Sequence, residues 1–237
     1  MQTTKHQILV LLKRTGSVTV DEAAGALAVA SMTARQHLTG LERDGLVQTE
    51  KAKRHTGRPH YVFSLTPKGE EMFPRRFDLF AQALLDEASN LTPTDIDRLD
   101  PESKRSLLIQ RSADRLAERF RFQITGKTLE QRVAAVTEVL HLIGGFAEWL
   151  QTDDGFEIRD YNCVFSRLSA GQQSGCEWHV RLLTQLLNWP VHHEVMLNGR
   201  AECCRYVLSS QPDLNAEGPS AGHVKTRSNQ EGLLSNA

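Results

Sequence analysis

Four cysteines, Cys163, Cys176, Cys203 and Cys204, fall in the last third of the 237-residue chain, and none occurs before them. Thiols gathered this way in a chain without a secretory pattern point to metal ligation or redox chemistry more than to structural disulfides. The alternative is a set of small buried hydrophobes. Cys163 and Cys176 follow a Cys-x12-Cys spacing, and Cys176 and Cys204 a Cys-x27-Cys spacing. The short knuckles of structural zinc are absent. Soft sulfur suits zinc and iron–sulfur clusters equally, while three widely spaced thiolates lean towards a cluster whose fourth position is filled by another group. His179, His192 and His193 lie nearby in sequence, but each reads first as a surface or core histidine.

A second group carries a different chemistry. Ser31, Thr33, Arg35 and Gln36 stand at the start of an amphipathic segment whose apolar positions are Met32, Leu38 and Leu41. Arginine can read guanine and glutamine adenine from the major groove, while serine and threonine can hold phosphates. A basic stretch follows with Lys51, Lys53, Arg54, His55 and Arg58, suited to phosphate or minor-groove contact. Charge is distributed accordingly. Residues 1–76 hold 12 Lys and Arg against 7 Asp and Glu, and the remainder holds 16 against 22. A basic N-terminal part beside an acidic remainder suits double-stranded DNA as a partner.

The elements that must position these groups follow from periodicity. Thr4–Arg14 is helical and closed by Gly16, Ser17–Val20 is extended, and Asp21–Ala28 is helical again. Ser31 is expected to cap a helix from Met32 to about Asp44, stopped by Gly45. Strands over Leu46–Lys51 and His60–Ser64 flank the basic connector, in which Gly57 permits a tight tip, Arg58 projects and Pro59 stiffens the return. Three helices and a basic-tipped hairpin make a winged helix over residues 1–76. A helical linker and dimerisation region is expected over 77–125, including the charge-rich helix Pro101–Phe122. Over 126–210 the pattern gives a small α/β domain of order α-β-β-α-β-β: a helix Thr128–Ile143, strands Phe146–Gln151 and Phe156–Phe165, a helix Gly175–Asn188 with Cys176 at its N-terminus, where a thiolate is stabilised, and a hairpin turning at Asn198-Gly199. Residues 211–237 read as a disordered tail. The fold class is α+β. Cys203 and Cys204, adjacent on the last strand, point to opposite faces, so one is a ligand and the other core or spare.

Two resemblances extend this reading. The segment "SMTARQHLTGLERDGLV" with "HTGRPHYVFSLTPKGEEMFP" resembles winged-helix regulators related to the arsenical-resistance and deoxyribose-operon repressors. The stretch "NCVFSRLSAGQQSGCEWHVRLLTQLL" with "VMLNGRAECCRYVL" is similar to the C-terminal domain of the Suf-operon repressor family, dimeric regulators of iron–sulfur-cluster assembly genes. Together they cover about residues 5–209. The resemblance implies an α/β sensor domain in which Cys163, Cys176 and Cys204 bind a [4Fe–4S] cluster, with [2Fe–2S] or zinc as alternatives and Cys203 as the alternate ligand. It also implies a homodimeric repressor that binds operator DNA and responds to cluster supply or redox stress. The chain departs from that family where Pro190 stands at about the place of a further cysteine, and Cys203 is extra. A zinc or thiol-redox regulator, or a small-molecule-responsive one, is the rival reading.

The sequence argues against catalysis. It has no P-loop, no GxSxG, no HExxH and no glycine-rich dinucleotide motif, and the Asp153-Asp154 pair sits where a turn is expected. No apolar run approaches the ~20 residues that span a bilayer, and Met1–Arg14 lacks a signal pattern, which gives the expectation of a cytoplasmic protein without a membrane partner.

Overall fold

The computed structural model describes residues 3–52, 60–165, 174–198 and 201–209. The chain begins with α1 (Thr4–Thr15), β1 (Ser17–Val18), α2 (Val20–Leu27) and α3 (Ser31–Arg43). Capping chemistry sets the first boundaries. Thr3 accepts from the His6 amide at the start of α1, and Thr19 and Glu22 form a reciprocal capping box on α2. The turn into α3 passes through Ala28, held left-handed at φ 52°, an unusual place for a residue bearing a Cβ. Strands β2 (Val47–Ala52) and β3 (His60–Leu65) pair antiparallel from Val47↔Leu65 to Ala52↔His60, and β1 adds to β3, giving the order β1-β3-β2. Ile8, Leu9, Leu12, Ala23, Ala34, Leu38, Leu41 and Phe63 close one core beneath the three helices and the sheet. This is a winged helix, finished by the single turn α4 (Pro67–Glu70).

The rest of the described chain builds a second core. Helices α5 (Phe77–Asn90), α6 (Pro93–Ile96), α7 (Pro101–Phe120) and α8 (Leu129–Leu142) precede β4 (Ala147–Thr152), β5 (Gly155–Asp160), α9 (Ser174–Leu187), β6 (His192–Asn198) and β7 (Ala201–Ser209). The four strands form one antiparallel sheet in the order β4-β5-β7-β6. Trp178, Leu182, Leu183, Leu186 and Leu187 line the inner side of α9 and are all buried. Trp178 also donates through its indole N–H to Ser112 Oγ on α7 at 3.1 Å. Residues of α5 and the C-terminal half of α7 (Ala83, Ala113, Leu116, Ala117 and Phe120) enter this same core. The segment 77–125 is therefore packed against the α/β unit along much of its length. Arg181 clamps Asp114 with two bonds of 2.6 and 2.7 Å across α7 and α9.

Several local expectations change. Ser31 is the first residue of α3 and does not cap it; Ala30 holds the cap position and, without a polar side chain, makes no cap bond, while the Ser31 hydroxyl donates to Asp21 at 3.0 Å. The strand expected over Phe156–Phe165 ends at Asp160, whose carboxylate accepts from the Phe146 and Asn162 amides and turns the chain. Cys163 thus lies past the strand rather than at its end. The last hairpin pairs Asn198 with Ala201, so Asn198 closes β6 instead of opening the turn. The expected disordered tail, 211–237, lies outside the described residues.

Candidate nucleic-acid interface and cysteine cluster

Helix α3 packs through Ala34, Leu38 and Leu41, all buried, against the rest of the winged helix. Its other side carries Arg35 and Gln36, both exposed, with Thr33 half-buried beside them. Ser31 is exposed but engaged by Asp21. Met32 is the correction on this helix. Its place in the apolar pattern suggested a position beneath the helix, yet it is 66% exposed. The helical period explains this: Ala34, Leu38 and Leu41 share a face from which Met32 is turned away. The first turn of α3 also carries no acidic residue, unlike those of α2, α7 and α8. The carboxylate nearest this end is Asp21 of α2, held by the Ser31 hydroxyl. Of the basic connector, Lys51 is described: it lies exposed on β2 with its ammonium over the exposed Tyr61 ring at 5.9 Å. Lys53, Arg54, His55 and Arg58 lie outside the described residues.

Three elements carry the cysteines of this region. Cys163 follows β5, Cys176 stands in the first turn of α9, and Cys204 lies on β7 opposite Asp160. The Cys204 thiol donates to Cys163. That hydrogen bond, together with the charge of His179, holds the Cys163 thiol well below the ordinary range. The same bond and burial push Cys204 up. Cys163 Sγ further accepts the Phe165 amide at 3.4 Å and lies 4.0 Å from His179 Nδ1. Burial and the neighbouring Cys163 charge push Cys176 up to about 11. Desolvation thus opposes the stabilisation that a helix N-terminus offers a thiolate. Cys203 is buried, its thiol pushed up to about 11 by burial, and among the groups that influence it are Glu157 and Arg159 rather than another thiol. Among the described residues, no three His, Cys, Asp or Glu side chains stand in a ready-made ligand sphere. The donor set itself, three thiols and a buried imidazole in one region, is chemically fit for a soft metal or a cluster.

His179 reads in the sequence first as a surface or core histidine, and the structure makes it core. It is 2% exposed, edge-on to Phe165 and Trp178, and beside Cys163. The available signal was its spacing: three residues after Cys176, it shares a helix face with that cysteine.

Sequence reasoning also missed what joins the two cores. Arg75, just after α4, donates to the Cys163 carbonyl at 3.2 Å and reaches Glu70 at 3.8 Å. Glu70 in turn accepts from Lys13 of α1 at 2.5 Å. Burial pulls the Lys13 ammonium below its usual range, opposed by Glu70. The buried Asn162 amide donates to the Phe73 and Gly144 carbonyls at 3.0 and 2.8 Å, pinning the end of the winged helix to the end of α8. Gly144 (φ +90°) permits this approach, since a Cβ there would meet the Arg76 nitrogen at 2.4 Å. Phe73 packs edge-on to Phe146 at 5.3 Å, and Arg14 pairs with Glu148 at 3.1 Å. One signal lay in the sequence: Lys13 falls four residues after Leu9, on the buried stripe of α1.

Residues 5–57 match the model of the DeoR-like helix-turn-helix domain. The N-terminal part is that of DNA-binding transcriptional regulators of the winged-helix type. Two solved structures are similar to the chain. BpsR of Bordetella bronchiseptica, whose DNA binding is regulated by 6-hydroxynicotinic acid, is 17% identical over 46% of this chain and 74% of its own, with a TM-score of 0.27. PadR of Bacillus subtilis, solved with operator DNA, is 14% identical over 60% of this chain and 94% of its own, also with a TM-score of 0.27. No curated protein sequence matches the chain significantly. Among the described residues, no helix is long and apolar enough to cross a membrane.

Proposed function

We propose that this chain is a homodimeric, iron–sulfur-responsive repressor that binds operator DNA through α3 and the wing and controls iron–sulfur assembly genes. The observation that carries the reading is that Cys163 and Cys204, from separate elements, are hydrogen-bonded partners, with Cys176 of α9 within the electrostatic reach of both, at a place tied to the winged helix by Arg75. Those three thiols would hold the cluster, with Cys203 turned away on the other face of β7. A bound cluster supplies an electron-accepting, oxidant-sensitive centre that cross-links its ligands.

This chain's own residues do the rest. The Cys163 main chain, held by Arg75, is displaced or fixed according to how its side chain is ligated. Glu70 and Lys13 pass that bias to α1, which packs under α3. In a dimer the same bias sets the spacing of two recognition helices, and so the fit to two half-sites. Lys51, with Lys53, Arg54 and Arg58 of the wing, adds phosphate contacts whose strength falls with salt.

The close approach of Cys163 and Cys204 favours one second reading, a metal-free thiol switch. In that case both thiols give up their protons and two electrons to an oxidant such as a peroxide, forming a disulfide. Iron and sulfide content per chain after anaerobic purification, measured beside DNA affinity with and without the metal, separates the two. The cluster reading expects a brown protein whose DNA affinity falls on metal removal. It fails if a triple Cys-to-Ser variant at 163, 176 and 204 binds as tightly as the loaded wild type. A colourless protein whose affinity tracks thiol oxidation selects the switch.

A further inference from the structure

We infer that Met32 is a base-reading residue, its side chain packing on the C5-methyl group of a thymine in the major groove. The inference rests on the DNA-binding reading and adds to it a specificity that Arg35 and Gln36 do not supply.

Met32 lies one turn before both Arg35 and Gln36, at spacings i+3 and i+4, so it stands between them on the helix surface. All three are exposed, and Thr39, a further turn along, is exposed on the same strip. The opposite face, Ala34, Leu38 and Leu41, is fully committed to the core. Met32 therefore cannot turn inward without unseating α3. Among the described residues of its domain, this large apolar side chain, 66% exposed in the middle of a polar strip beside Arg35, is left uncovered.

Charge selects the occupant. The N-terminal part carries a surplus of basic residues, and the first turn of α3 contributes no carboxylate of its own, the nearby Asp21 of α2 being held by Ser31. A polyanion is accordingly drawn to this strip, while an apolar peptide gains nothing from the flanking guanidinium. Among the groups a duplex displays in its major groove, the thymine methyl is the apolar one. The flexible thioether can follow its contour without demanding a fixed rotamer.

The test uses the full-length chain, prepared anaerobically, and a pool of randomised duplexes. Sites enriched by the wild type are expected to contain a thymine next to the bases read by Arg35 or Gln36. Replacing that thymine by uracil removes only the methyl group and should weaken binding about fourfold, the worth of one buried methyl. In Met32→Ala the uracil penalty should vanish, while the dependence of affinity on salt stays as in the wild type. Met32→Leu should restore the penalty. Because the position is exposed, the melting curve of each variant is expected to match the wild type, which separates lost reading from lost folding. If the wild type enriches a site but Met32→Ala keeps the full uracil penalty, or no thymine is selected, the role of Met32 is overturned and DNA binding stands. A wild type that enriches no sequence overturns both.

Discussion

The two regions of this molecule keep their chemistry in opposite places. On α3 the groups that matter, Met32, Arg35 and Gln36, stand in solvent above a closed apolar core. In the cysteine region Cys163 and His179 are buried, and their partners Cys176 and Cys204 are half-buried. A surface strip acts by contact and needs little rearrangement of its own fold. Under the proposed reading, the largely buried thiols act by changing what surrounds them. The difference gives physical meaning to the joint between them, where Arg75, Asn162 and Phe73 connect the two cores through short bonds and ring contacts.

The sharpest way to break this comparison is to remove a large side chain from one core and observe the other. Trp178→Ala should destabilise the second core by about 3–5 kcal/mol, and Leu38→Ala the first by about 2–5 kcal/mol. Because the joint is buried, each substitution is expected to lower a single melting transition followed by circular dichroism and by tryptophan fluorescence. Two separated transitions would mean that the joint does not couple the cores.

Asn162→Ala leaves the Phe73 and Gly144 carbonyls without their donor. The cost should be about 1–3 kcal/mol, read in urea unfolding. A cost near zero would show that the connection is made elsewhere.

Arg75→Met tests the same joint for communication rather than stability. Under the cluster reading, the ratio of DNA affinities with and without metal should shrink at least about fivefold, the lower range of such couplings. An unchanged ratio removes Arg75 from the path.

Alkaline pH distinguishes the buried thiols from exposed ones. The thiols of Cys176 and Cys203 sit near 11 in the folded chain against an ordinary value of 9.0. The unfolded chain therefore releases these protons first, and stability of the metal-free protein should fall as pH rises from 9 towards 11. Cys203→Ala should flatten part of that fall in a melting series. A pH-independent series would show that these thiols are not desolvated.

The smallest effect expected is at Ala28, where φ is 52°. Ala28→Gly relieves the left-handed strain while loosening the unfolded chain, so stability should change by less than about 1 kcal/mol, with a gain the expected sign. A loss greater than that would mean the Ala28 side chain contributes packing to the turn.

Much of the fold was legible because the determining forces are local. The stripe of Leu38 and Leu41 and the apolar face from Trp178 to Leu187 follow from periodicity within a dozen residues. So did the alternation that sends Cys203 and Cys204 to opposite faces. What failed was also local in form but decided by distant partners. Ser31 looks like a cap, but the helix begins with it and Ala30 takes the cap position. Met32 looks like core until the position of α3 is fixed by Ala34, Leu38 and Leu41.

The sequence by itself determined the winged helix, the order of elements in the second unit and the residue types able to read DNA or hold a soft metal, since these depend on spacing along the chain. Only the tertiary structure decided which thiol meets which, that His179 stands beside Cys163, and that Lys13, Glu70 and Arg75 run from α1 to the Cys163 carbonyl. Those pairings span up to 88 residues of chain. They are set by how two cores close against each other, and no periodicity along a single element encodes that.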